Sequence, residues 1–536
     1  MTCGKVYEIR TAEKLVELFD TATGGTVDDE IFLLEDLDFS NAGLTYPLGA
    51  SSAGQKTVFA GVLHGNGHSV RNLQMDNTES QGFTSAGLFS AVGGATVENL
   101  VIDESCSFTG TSAGVLAVNA MGSLTVRNVT NRASVKGLMG LGGFVAQAFS
   151  LDSASFSFDG SMNLGTISAS NGYAGGFIGY VFSGANIRIV VTNSTNSGSL
   201  SGGNSGGFVG GIEKTTNLSI LFSNSTNDGM ITKELMGLGG FIGSIKSCNY
   251  ITVSVTDVTN NGTVSGENMF VGGFVGRVTG NDNLAVTVSN YVNSDNVSGQ
   301  SCVGMFAGEI YENNNTEVTV LGSVYNGNIT GSSCGGVIGS IKKNTNITVT
   351  ISNNTLNNNF SGGNDVGGLL GVIETNTNIT ATLSKCVNNG DVYGTNEGVG
   401  GIIGKINGNQ EIGLVVSESV NNGAVDGADG NAGGLVGVIY NSEYISVAVS
   451  DYVNNGEIIG NDNAGGFAGY VTGNKNSTIS ISNWTNNGNT TGSSIVGGFV
   501  GALQSNVDTN VTVSIASTMG LLTHPLAMQG GFLGPS

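Results

Sequence analysis

Three histidines, six cysteines and 40 acidic side chains are the chemically active groups in this 536-residue chain. Enzymes that cleave glycosidic bonds need paired carboxylates across the scissile linkage. Here Asp103 with Glu104, Asp282, Glu309 with Glu312, Asp365 and Asp391 fall at different phases of the sequence pattern, as solvated loop charges do. His64 and His68 stand in turn-rich text where imidazoles bond to backbone, and His524 is isolated. Asp426-Gly427-Ala428-Asp429-Gly430-Asn431 and Asn281-Asp282-Asn283 have the composition of calcium loops without the closing bidentate glutamate. Aspartate and asparagine are also what ordinary turns require. The reading is therefore of a chain that is not an enzyme, with no catalytic residues, no metal and no cofactor.

The six cysteines are Cys3, Cys106, Cys248, Cys302, Cys334 and Cys386, too few and too scattered for a disulfide framework. Cys302 and Cys334 differ by one in phase, which in a strand sends them to opposite faces. Buried free thiols are expected instead.

What must position any site is a repeat. Val271-Gly272-Gly273-Phe274-Val275-Gly276 returns with its first glycine at Gly142, Gly175, Gly206, Gly239, Gly272, Gly304, Gly335, Gly367, Gly400, Gly433, Gly465, Gly497 and Gly530. Subtracting neighbours gives intervals of 31 to 33 residues (335 − 304 = 31; 272 − 239 = 33). The copy at Gly304 reads Gly-Met-Phe-Ala-Gly, and earlier relatives begin at Gly87 and Gly114. A glycine pair before an aromatic suits a corner that needs positive φ or close backbone approach.

Each unit adds an alternating run such as Tyr250-Ile251-Thr252-Val253-Ser254-Val255-Thr256, the period of a half-buried strand. About ten residues before the next glycine pair comes an asparagine: Asn131, Asn163, Asn196, Asn227, Asn260, Asn293, Asn326, Asn357, Asn388, Asn421, Asn454 and Asn486. Amides in register both donate and accept, so these residues are expected to form a structural ladder through the stack.

Composition agrees with a repeat architecture. With 88 glycines, 3 prolines and 11% charged residues, helix is disfavoured almost throughout. A formal net charge of −22 argues against nucleic acid and anionic membrane, both of which demand clustered Lys and Arg. No run of about 18 apolar residues suits a bilayer span, so the chain is read as not membrane-spanning. Met1-Thr2-Cys3-Gly4-Lys5 lacks the apolar core of a signal peptide.

The first 80 residues read differently. Thr11-Ala12-Glu13-Lys14-Leu15-Val16-Glu17-Leu18-Phe19 is an amphipathic helix with Thr11 as N-cap. A stacked coil needs its first edge covered, so residues 1–80 are expected to form an N-terminal α+β cap. Residues 81–515 form the solenoid, and 516–536 a terminal coil or contact segment, where Pro525 breaks the pattern.

At this point the chain resembles the bacterial-type and protist GLUG-repeat surface proteins. The likeness is carried by Asp36-Leu37-Asp38, Gly61-Val62-Leu63-His64-Gly65-Asn66-Gly67-His68-Ser69-Val70-Arg71-Asn72-Leu73, Gly87-Leu88-Phe89-Ser90 and the later Gly-Gly-Phe-Val-Gly units. The resemblance implies an adhesin-like solenoid at a cell surface.

The expected fold is all-β, a parallel β-solenoid (β-helix) of about 32-residue repeats. The expected function is that of a non-enzymatic extracellular or cell-surface adhesin or structural stalk. Its partners would be a surface glycan or protein ligand, or other copies by self-association through the ends of the stack. Three alternatives stay open: a fibre subunit, a carbohydrate-active β-helix enzyme and an ice-binding solenoid. The last would use threonine arrays such as Thr348 and Thr350, with Ala448 and Leu221 interrupting them. Sequons including Asn217-Leu218-Ser219, Asn346-Ile347-Thr348 and Asn378-Ile379-Thr380 could carry glycans in a secretory route.

Overall fold

Each coil is built from five short strands, and one coil shows the plan. In the computed structural model, which describes residues 4–22, 25–50, 56–77, 84–233, 237–267 and 270–523, these strands are Val366–Gly367, Leu370–Glu374, Thr377–Ser384, Val387–Asn388 and Val392–Gly394. Each pairs in parallel with its counterpart one coil later: Gly367 with Gly400, Leu370 with Ile403, Ile379 with Ile412, Asn388 with Asn421 and Val392 with Val425. The protein is a parallel β-solenoid with almost no helix. It divides into two compact units, Met1–Thr263 and Val264–Ser536, both built this way.

The third strand is the longest because its alternation is cleanest. In Thr377–Ser384, Ile379, Ala381 and Leu383 are buried while Thr380 and Thr382 face out. Opposite them, the residue after the glycine pair fills the interior. Phe144, Phe177, Phe208 and Phe241 do so in the first unit, where neighbouring rings lie 4.7 to 4.9 Å apart. Val337, Leu369, Ile402 and Leu435 do so in the second, each fully buried. Full burial of one such side chain is worth about 1.5–3 kcal/mol, and stacking makes that burial available to every coil.

The corner glycines Gly142, Gly175, Gly206, Gly239, Gly272, Gly304, Gly335, Gly367, Gly400, Gly433, Gly465 and Gly497 each end the first strand of a coil and are buried. Of the two reasons for a glycine pair, close approach is the operative one. A Cβ on Gly367 would stand 2.0 Å from the Leu370 carbonyl oxygen, and one on Gly368 2.1 Å from that of Gly401. Positive φ is carried elsewhere, by Thr375, Asn378 and Lys385 in this coil and by Gly408, Glu411 and Glu418 in the next. In this coil two of the left-handed residues, Thr375 and Lys385, flank the third strand and Asn378 lies at its start, and asparagine and glycine tolerate that geometry best.

Ten of the twelve ladder asparagines are fully buried. Asn131, Asn163, Asn196 and Asn227 each donate from Nδ2 to Oδ1 of the next coil's asparagine at 2.7 Å, ending on Asn260. In the second unit Asn388, Asn421 and Asn454 do the same, ending on Asn486. Asn293 donates instead to the Asp295 carbonyl and the Met305 sulfur.

Asn326 and Asn357 are a correction. The register pairs Asn293 with Tyr325, Tyr325 with Leu356 and Leu356 with Asn388. The two asparagines lie one residue further on, and in a strand that single step turns a side chain from the core to solvent. Both are exposed and belong to an outer ladder, in which Asn357 donates to Asn326 at 3.0 Å and Asn389 to Asn357 at 2.9 Å. A further buried ladder, absent from the sequence reading, runs Asn281, Asn313, Asn344, Asn376, Asn409 between the second and third strands.

The N-terminal region joins the solenoid's own parallel ladder, in which Val6 pairs with Glu30, Glu30 with Val62 and Val62 with Thr96. The helix, Ala12–Asp20, buries Ala12, Leu15 and Phe19, and Phe19 meets Phe59 and Phe89 at 6.0 and 5.4 Å. At the other end the ladder continues through Leu522–Thr523, paired with Thr490 and Thr491. Cys3, His524, Pro525 and the copy at Gly530 lie outside the described residues.

The two asparagine ladders should respond differently to the same substitution. Asn421→Leu strips a buried amide from its partners on both sides and is expected to lower unfolding stability by about 1–3 kcal/mol. Asn357→Leu, on the outer ladder, is expected to cost less than about 0.5 kcal/mol. Equal losses in chemical denaturation would mean that burial does not distinguish the two.

Candidate functional site

Outside the core, a second set of side chains meets along a seam between the first and second strands. The first residue of the first strand interleaves with the middle residue of the second strand from its own coil and from the next. Tyr173 shows both contacts: its ring stacks on Tyr180 at 4.0 Å, and a Cβ on Gly211, one coil on, would lie 2.4 Å from it. The backbone needs nothing from these positions, so their side chains are free to differ from coil to coil.

In the first unit the seam is aromatic around one carboxylate. Tyr173 and Tyr180 both donate hydroxyl protons to Glu213, at 2.6 and 3.1 Å, and Lys246 stands 3.5 Å from it. Burial and then this carboxylate push the Tyr173 hydroxyl well above the usual phenol range. Phe149, 39% exposed, meets Tyr180 and Phe182 edge to face at 5.8 and 5.9 Å. The Lys214 ammonium lies 5.1 Å from the centre of the Phe182 ring.

In the second unit the seam is ionic. Arg277 stacks over Phe270 at 4.3 Å and donates from Nε to Glu309 at 2.8 Å. Lys342 pairs with Glu374 at 3.1 Å, and Asn407 donates to the same carboxylate at 2.8 Å. Lys405 lies between Glu397 and Asp365, the latter at 3.5 Å. Burial holds Glu309 above the ordinary carboxylate range despite Arg277. For Glu374 burial acts upward too, but Asn407 and Lys342 together leave it below. Burial raises Asp365 most, to about 7, against the pull of Lys405. Its Oδ1 is buried and has no hydrogen-bond partner among the described residues.

This corrects the reading of Glu309 and Asp365 as solvated loop charges: both are buried, and Asp365 shares one ionic cluster with Glu374 and Glu397. Asp103 and Asp391 lie in loops as expected, while Asp282 opens the strand Asp282–Ser289. Asp103 accepts from the Ser105 amide, Asp391 from the Ala424 amide, and Asp282 from Asn314. His64 has each ring nitrogen against a carboxylate, Glu98 at 2.8 Å and Glu30 at 3.0 Å, and stacks on Phe32. It joins three successive coils. His68 and Arg71 both face Asp36.

Cys106, Cys248, Cys302, Cys334 and Cys386 are buried and in no disulfide, and the register sets Cys302 opposite Ser333 and Cys334 opposite Val303. Among the described residues no group of three His, Cys, Asp or Glu side chains could hold a metal ion, and no helix is long and apolar enough to cross a membrane. On the long-strand face, Thr319, Thr350 and Thr382 align, followed by Val415 and Ala448. The sequon residues Asn346 and Asn378 already donate to Asn315 and Asn346.

No protein-family profile matches the chain, and no curated protein matches it. Among solved structures it is similar to a protein from Bacteroides ovatus provisionally described as an immunoglobulin A1 protease. That match has 19% identity, 48% of this chain and 78% of that one, and a TM-score of 0.37. It is also similar to PfbA, described as a surface adhesin of Streptococcus pneumoniae, at 12% identity, 82% and 86% coverage and a TM-score of 0.26. A third similarity is to AlyGC, described as a PL6 family alginate lyase, at 10% identity, 99% coverage of both chains and a TM-score of 0.14.

The Asp365 cluster has a pH signature with a definite sign. A carboxyl raised from 3.8 to about 7 by burial binds its proton more tightly folded than unfolded. Its contribution to stability is therefore present at low pH and is lost as pH climbs through that interval. Asp365→Asn should raise the unfolding midpoint at about pH 8 and change it little at about pH 4.5. An equal shift at both pH values would count against the burial of a titrating carboxyl.

Proposed function

We propose that the chain is a non-enzymatic solenoid of the extracellular or cell-surface kind, of GLUG-repeat character, acting as an adhesin or stalk. It would bind a ligand along its outer seam. The observation that carries this reading is how the seam carboxylates are used. Glu309 is bonded to Arg277, Glu374 to Lys342 and Asn407, and Glu397 to Lys405. A general acid or base must be free to exchange a proton with substrate, whereas Glu309 and Glu374 tie one coil to the next and Glu397 is paired within its own coil. Buried pairs of this kind add little net stability against an apolar seam, and the partly exposed members, Glu397, Glu374 and Lys342, leave a polar surface open to contact.

A second reading rests on the same cluster. Asp365, Glu374 and Glu397 do converge, with Lys342 and Lys405 beside them, and converging carboxylates and lysines are also what a polysaccharide-cleaving site needs. The two readings separate in one experiment. The full chain, incubated with a panel of neutral and acidic polysaccharides, is expected to retain some of them on an affinity column and shorten none. Shortening that the Asp365→Asn/Lys405→Gln variant abolishes would overturn the non-enzymatic reading.

A further inference from the structure

The aromatic stretch of the seam in the first unit has features that a structural cluster does not require. Phe149 keeps 39% of its surface exposed beside Tyr180 and Phe182. The two tyrosine hydroxyls, on half-buried side chains, spend their protons on Glu213, at 2.6 and 3.1 Å, so what each has left to offer is lone pairs. Lys246 offsets Glu213 at 3.5 Å, while Lys214, exposed at the edge of the rings, has no carboxylate within ion-pair distance among the described residues. An unpaired cation beside an aromatic platform is notable in a chain of formal charge −22.

These groups define a ligand by its chemistry. The exposed ring calls for a partner with a flat apolar face, the oxygen acceptors call for hydroxyl donors, and the free ammonium calls for an anion. A pyranose ring has axial C–H groups on one face and hydroxyls on its rim, and a uronate adds the carboxylate. An apolar protein segment would leave the tyrosine oxygens and Lys214 unmatched.

We propose that Phe149, Tyr173, Tyr180, Phe182 and Lys214 form a binding platform for an acidic saccharide, with a uronate ring stacked on Phe149 and its carboxylate on the Lys214 ammonium. This deepens the adhesin reading and rests on it. The rings come preorganised, because Glu213 fixes Tyr173 and Tyr180 before any ligand arrives.

Calorimetric titration of the full chain with a galacturonate hexamer tests the platform, with a neutral glucose hexamer alongside. Phe149→Ala is expected to weaken binding of both by roughly tenfold. Lys214→Asn, which keeps a residue tolerant of the φ of +51° there, should weaken the acidic hexamer by roughly fivefold, leave the neutral one unchanged and flatten the salt dependence. Binding that neither substitution weakens would overturn the platform while leaving the adhesin reading intact. No binding of either hexamer would also overturn it. Shortening of the hexamer would instead count against the non-enzymatic reading on which the platform rests.

Discussion

The closeness of two backbones at the glycine pair is the constraint on which the rest of the coil depends. The second glycine faces the ladder residue of its own coil across the interior, Gly368 against Asn388 and Gly401 against Asn421. The spacing is the same in both cases (388 − 368 = 20; 421 − 401 = 20). A side chain on that glycine would displace the amide, and a buried amide without partners costs about 1–3 kcal/mol. With the glycine in place, each asparagine reaches the next at 2.7 Å and also the carbonyl two residues on. The glycine therefore makes room for the asparagine without dictating it, since twenty residues after Gly336 the same place is taken by Leu356. Where Met305 replaces the second glycine, the residue twenty positions later is Tyr325, and the ladder stops until Asn388.

That relation shows why much of the fold was legible and where legibility ended. Period-two alternation and a constant repeat length fixed the strands and their parallel stacking, since both are local properties of the text. Asn326 and Asn357 were misplaced because asparagines are abundant and a nearby one could stand in for the missing phase. Counting twenty from the second position of the pair, Met305 in one coil and Gly336 in the next, leads to Tyr325 and Leu356 instead. The glycine pair itself left two explanations open, because positive φ and close approach favour the same residue. Only the distances separate them.

The seam was less legible for a geometric reason. Tyr173 contacts Glu213 and Asp365 contacts Lys405, each across forty residues (213 − 173 = 40; 405 − 365 = 40). That is one coil plus the distance from first strand to second, so the partners carry different phases in the repeat. Acids judged by phase alone look scattered. Bringing Asp365 and Glu397 onto one lysine requires the corner angle and the direction in which the coil advances, and neither is written in a periodicity. The left-handed positions hide in the same way, because Thr375, Lys385 and Glu418 occupy them without looking like turn residues.

A division of labour follows between columns that repeat and columns that vary. Inside, the ladder is mostly asparagine and the residue after the glycine pair is an apolar side chain, Phe, Val, Leu or Ile, because each coil's partner is the coil before it, and in a stack stability is the sum of such neighbouring interfaces. At the middle of the second strand the first unit has Gln147, Tyr180, Gly211 and Ser244, and the second has Arg277, Glu309, Ser340, Val372, Lys405 and Val438. Residues so unlike one another are tolerated because the backbone ladder beneath them is already complete. Where they are aromatic or charged they meet neighbours laterally, Tyr180 on Tyr173 and Glu213, Arg277 on Glu309, and Lys405 on Asp365 and Glu397. Chemical identity can thus be set along the seam coil by coil without altering the stack that carries it, which is the physical condition for a repeat scaffold to acquire a ligand at one stretch and remain bare at another.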